Sequence, residues 1–162
     1  MSIKYEPLYV DYLVYFNRDR DYFECHEVLE ELWLALDREP VYKGLLQVAV
    51  GMYHFRNQNI RGAQLMLSSA VQILEPYPDQ ILGIELGLLL TSCHDALEKL
   101  HSDQSPVPYH DFTIVITDEE LEEAVFQRSK EIKPNIPQRR SPTRGKVYEE
   151  RMKALGQNSS SS

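Results

Sequence analysis

The sequence predicts an all-α fold: an antiparallel bundle of about five helices with an extended C-terminal arm and short terminal helices. Three observations predict it. Apolar residues recur at helical spacing through five successive stretches between residues 7 and 100. The breaks between these stretches are short, which favours antiparallel neighbours. Strand-like alternation is confined to one short run, Phe112, Ile114 and Ile116, and one strand is not stable by itself.

The first helix is expected over 7–17, opened by Pro7 and carried by Leu8, Tyr12, Tyr15 and Phe16. Asp21 is a good N-cap for the second, with Glu24 at the reciprocal capping-box position. That helix, YFECHEVLEELWLAL over 22–36, is apolar on two sides. Cys25, Val28, Leu29, Leu32, Trp33 and Leu36 cover one, Phe23 and Leu34 the other, and Glu24, Glu27, Glu31 and Arg38 form a solvent stripe. Pro40 closes a tight turn and opens the third helix, 41–57, in which Gly44 and Gly51 share one side and permit close packing. Asn59 caps the fourth helix, 60–75, and Asp79 the fifth, 80–100. An extended arm follows, expected to lie on the bundle or pair with a second copy. A capping box at Thr117–Glu120 then opens a short acidic helix to about Lys130. Beyond Pro134 the chain reads as irregular, with a last short helix over 147–155 and no fixed structure from Gly156 onward. The division is thus a bundle over 1–101, an arm and acidic helix over 102–132, and a basic tail over 133–162.

Charge follows the same division. Residues 1–132 carry 10 basic and 23 acidic side chains, whereas 133–162 carry 7 and 2. An acidic body argues against general binding to nucleic acid or a membrane surface. The tail, through Arg139, Arg140 and Arg144, leaves RNA, anionic lipid or the acidic body itself as contacts, and self-docking is the expected one. No apolar run reaches the roughly 20 residues that cross a bilayer. The N-terminus also lacks the apolar core of a signal peptide, so a cytoplasmic location is expected. Cys25 and Cys93 read as small buried hydrophobes.

The informative polar residues lie inside the apolar surfaces. His26 and Glu30 sit one turn apart on the second helix, Gln47 and His54 two turns apart on the third. The tight turn at Arg38–Pro40 pairs Glu30 with Gln47 and His26 with His54, to within a turn. Three chemistries remain open for this cluster. It is a self-satisfied network that fixes helix register. Or His26, Glu30 and His54 hold zinc or iron, as a metal-dependent hydrolase or oxygenase would. Or the residues line a metal-free site in which His26 and Glu30 hold a small polar ligand or exchange protons. HEVLE departs from the zinc motif HExxH at its last residue, and no Glu-x-x-His pair of the di-iron bundles is present. His94 and His101 read as surface residues, and His110 belongs to the arm.

Phe23–Trp33 (FECHEVLEELW), then Lys43–Ala49 (KGLLQVA), His54 and Asn59–Ala63 (NIRGA), resemble in order and spacing the bacterial and archaeal family called domain of unknown function 309. The resemblance covers about residues 15–75. It implies an all-helical fold and places Glu27 and Trp33 in the family's motif, although helical periodicity puts Glu27 on the solvent stripe. It brings no activity. The expected function is a non-catalytic binding or interaction module built on His26, Glu27, Glu30, Trp33, Gln47 and His54. Its partner would be a small ligand, a protein or a second copy of the chain.

Overall fold

The computed structural model describes residues 5–134. The stretch expected to be irregular beyond Pro134, the expected helix over 147–155 and the tail arginines lie outside those residues. Helices α1 (Pro7–Val14), α2 (Tyr22–Ala35), α3 (Pro40–Arg56), α4 (Ile60–Leu74) and α5 (Leu86–Leu100) make the bundle, and α6 (Glu119–Glu131) packs back on α1. The fold is all-α apart from a two-stranded hairpin, β1 (Gln80–Ile81) and β2 (Ile84–Glu85). No described helix is long and apolar enough to cross a membrane.

The first helix does not run unbroken to Asn17 as its periodicity suggests. It stops at Val14, and Tyr15–Asp19 form a π-helical turn that ends on Arg20 in the left-handed region. The wider turn keeps Phe16 in the core while aiming Asn17 and Arg20 at the arm. The Asn17 side-chain amide both donates to Ile114 O and accepts from Ile114 N, each at 2.9 Å. It thereby imitates the edge of a neighbouring strand, and Arg20 adds a bond to Phe112 O. Gln58 clasps Val107 in the same two-sided way, at 2.8 and 3.0 Å. Glu85 N donates to Val115 O and Thr117 N to Gly83 O. The arm therefore lies on the bundle with Phe112 and Ile114 buried and Val115 exposed, as its alternation predicts.

Two other boundaries differ. The fifth helix begins at Leu86 rather than Gln80, because Leu82 and Gly83 both take positive φ and turn the chain into the hairpin. The expected capping box at Thr117–Glu120 does not form: the Thr117 hydroxyl donates to Gly83 O, the Asp118 carboxylate at the N-cap accepts from the Tyr5 hydroxyl, and no side chain caps α6. The caps at Asp21 and Asn59 form as expected, accepting from Glu24 N and Gly62 N. Cys25 and Cys93 are free and buried, and burial pushes the Cys93 thiol up to about 12. On the outer side of α2 Phe23 is buried but Leu34 is 51% exposed, so that side is enclosed only toward its N-terminal end.

Candidate functional site

The site forms where α2 crosses α3, and the local sequence fixes both helices. Asp21 caps α2. Its other end stops because Asp37 and Arg38 both enter the left-handed region, at φ 56° and 62°. Such conformations cost a non-glycine residue of order 1–3 kcal/mol and are common beside functional sites. Here they return Arg38 N–H to Trp33 O at 2.8 Å and set the Arg38 guanidinium 5.7 Å from the Trp33 ring centroid. On the other side, α3 is pressed onto α4 through its glycines. A Cβ at Gly44 would stand 2.5 Å from Leu74 Cγ, and one at Gly51 2.7 Å from Leu67 Cγ.

Two contacts bracket the register of α2 on α3. Arg56 lies 4.8 Å from the Tyr22 ring centroid and donates to Arg20 O at 2.7 Å. At the far end the Lys43 ammonium lies 5.5 Å from the Trp33 ring centroid. On antiparallel helices these two contacts set Gln47 near the level of Glu30 and Gly51 near that of His26.

His26 is fully buried. Its Nε2 stands 3.0 Å from Glu30 Oε2 and its Nδ1 4.0 Å from Glu27 Oε1. The shorter contact is close enough for an ion pair but is not aligned as a hydrogen bond. Glu27 is therefore half-buried beside the imidazole and does not sit on the open stripe. Among the described residues, the buried side-chain polar atoms without a hydrogen-bond partner belong to the packed helices α2 and α3. They include both ring nitrogens of His26, Nε1 of Trp33 and Oε1 of Gln47. Each such atom costs roughly 1–3 kcal/mol when left dry. Native structures satisfy nearly all buried polar groups, so these two helices are where the fold alone leaves hydrogen bonds unmade.

His54 does not join this group. Its ring is half-buried nearly a turn past the level of His26, and its Nδ1 faces Asn59 Nδ2 at 3.1 Å. Asn59 Oδ1 is already committed to Gly62 N–H, so the Asn59 amide donates, Nδ1 of His54 accepts and the ring proton sits on Nε2. Among the described residues no three His, Cys, Asp or Glu side chains are arranged to hold a metal ion. The set His26, Glu30 and His54 is not assembled. Burial lowers the pKa of His54 below the usual histidine value. Folding therefore favours its neutral form: the full contribution is present above about pH 6.5 and is lost as pH falls through the folded-state pKa. A denaturant series from pH 7.5 downward should show a fall in stability that His54→Gln removes.

The sequence did not single out Lys43 and Arg38, which flank the Trp33 ring. The signal was present, since Lys43 lies four residues before Gln47 on the same helix face. His94, His101 and His110 are exposed, as expected. His101 lies 2.6 Å from Leu97 O and His110 lies 3.0 Å from Lys99 Nζ.

A family model described as "Domain of unknown function (DUF309)" matches residues 9–66, a span that holds every residue of the cluster. The chain is 38% identical over 125 residues to "Uncharacterized protein YpuF" of Bacillus subtilis (strain 168), covering 74% of this chain and 70% of that protein. It is 30% identical over 70 residues to an "Uncharacterized protein" of Aquifex aeolicus (strain VF5), covering 41% of this chain and 21% of that one.

Proposed function

Because the chain belongs to the DUF309 family, whose description assigns no activity, we propose a function from the α2–α3 site itself. The protein is a non-catalytic binding module, and the cluster of His26, Glu27, Glu30, Trp33 and Gln47 receives a polar partner. The observation that carries this reading is the presence of unfulfilled buried polar atoms on both of these packed helices. Trp33 Nε1 offers a donor, Gln47 Oε1 an acceptor, and the His26 ring one or both according to its protonation. A fitting partner presents donors and acceptors together. The carboxylates of Glu27 and Glu30 beside His26 favour a cationic donor. The alternative of a metal-dependent hydrolase or oxygenase needs a third ligand beside His26 and Glu30, and His54 is engaged with Asn59 instead.

Trp33 is the single tryptophan of the chain, so its fluorescence reports on this site alone. Titration of the full chain with arginine amide, a donor-rich cation, should give a saturable change in that signal, and Gln47→Leu should abolish it. A linear response, or the same response in the variant, would reject a binding role for the cluster.

A further inference from the structure

We infer that the partner of this site is the chain's own basic C-terminal segment, residues 135–162, docked along the acidic side of α2 with an arginine at the His26–Gln47 cluster. The inference rests on the binding role proposed above and names its occupant. Three observations support it.

The first is where the described chain ends. The last turns of α6 lie on the stretch that leads into α2. Arg128 pairs with Asp11 at 2.7 Å, and Arg18 donates to Ser129 O at 2.5 Å. The Tyr15 hydroxyl has its pKa raised by burial and by the carboxylates of Glu24, Asp11 and Asp21, while Arg128 opposes them. The C-terminal end of α6 therefore lies on α1 and on the π-helical turn that leads into α2. The described chain ends at Pro134, five residues beyond the Ser129 contact with the π-helical turn that leads into α2.

The second is reach. From Glu24 to Trp33 a helix rises about 14 Å. Five extended residues span at most about 17 Å, which is the interval from Pro134 to Arg139. Arg140 and Arg144 lie six and ten residues beyond Pro134, an extended reach of up to about 20 and 35 Å, so the length of the segment is enough to span that rise.

The third is chemistry. Residues 135–162 carry six basic side chains against two acidic ones, whereas α2 presents Glu24, Glu27, Glu30 and Glu31 within two turns. A guanidinium supplies five N–H donors and no acceptor. It suits Gln47 Oε1 and the carboxylates that flank His26. The backbone carbonyls of the same segment supply the acceptor that Trp33 Nε1 lacks. A peptide carrying arginine thus meets both kinds of unmade bond, which neither a metal ion nor a simple anion does. Tethering raises the effective concentration of the segment to the millimolar range, so a weak contact is enough to keep it docked.

The test uses the full chain and its triple variant R139E/R140E/R144E, with acrylamide quenching of Trp33 as the readout. Acrylamide is uncharged, so the reversal does not act on the quencher directly. At low salt the variant should show a quenching constant about twofold or more above that of the wild type, because the tether no longer holds the segment on the indole. High salt should bring the wild type to the same value, as screening weakens a contact between charges. A synthetic peptide of residues 135–162 added to the variant should restore the shielding, and Gln47→Leu in that background should weaken the restoration.

Equal quenching constants for wild type and variant at low salt would overturn the inference. So would shielding that disappears on dilution, which would assign the contact to a second copy. Salt-sensitive RNA binding that the triple variant loses, with Trp33 unmoved, would overturn it in favour of nucleic acid. If the variant leaves Trp33 unmoved while arginine amide still gives a saturable change lost in Gln47→Leu, the site binds a partner and the segment is not that partner.

Discussion

Phe16→Ala is expected to lower the unfolding free energy by about 3–5 kcal/mol. Phe16 is fully buried in the π-helical turn between α1 and α2. Its ring centroid lies 5.7 Å from Tyr12 and 5.1 Å from Tyr22, and such aromatic pairs add roughly 0.5–1.5 kcal/mol beyond the area they bury. The turn cannot simply close over the space, because Asn17 and Arg20, which follow Phe16, are tied to the arm. The loss should appear as a shift of the denaturant midpoint with an unchanged slope. Phe126, 54% exposed on α6, is the internal control: its alanine variant should stay within about 0.5 kcal/mol of the wild type. A Phe16→Ala loss no larger than that of Phe126→Ala would show that the π-helical turn repacks freely.

Gly51→Ala, taken together with Leu67→Ala, gives the next largest expected effects, and for the glycine the sign is the informative part. In an isolated helix the change would gain about 1 kcal/mol in propensity. Here the added Cβ would lie 2.7 Å from Leu67 Cγ and Cδ2 and 3.3 Å from the backbone nitrogen of Leu67. The side chain can rotate, but the backbone contact obliges α4 to move away from α3. Overpacking of this kind costs roughly 1–3 kcal/mol, so the net effect should be destabilising. Leu67→Ala alone removes a fully buried leucine and should cost about 2–5 kcal/mol. The double variant should lose less than the two single losses combined, since the second change makes room for the first. Additive losses would show that the two residues do not meet.

What the sequence made legible is mostly local. The caps at Asp21 and Asn59 and the close-packing glycines of α3 all follow from short-range spacing. What it hid depends on long-range or ambiguous cues. Ile81, Leu82 and Ile84 continue the apolar pattern of the fifth helix, and only Gly83 hinted that the chain turns there. The arm is held by the side-chain amides of Asn17 and Gln58, 97 and 49 residues away, and such bonds leave no periodic trace. His54 turns instead to Asn59, which spacing marks only as a helix cap. Its amide does two jobs, accepting from Gly62 N–H and facing His54 with the other end. Within the cluster the identity of the residues was readable, but the lack of internal hydrogen bonds was not, because it depends on ring and amide orientation rather than on spacing.

That lack is the central claim, and the stability of Gln47→Leu tests it most directly. The comparison is made in the R139E/R140E/R144E chain, so that the C-terminal arginines do not contribute. If the fold leaves Gln47 Oε1 without a partner, replacing the amide by an apolar side chain of similar size removes a buried polar group that gains nothing. The unfolding free energy should then stay level or rise by about 1 kcal/mol. A loss of roughly 1–3 kcal/mol would contradict the account, since it would mean that Gln47 is already satisfied by its neighbours and that the cluster is a closed structural network.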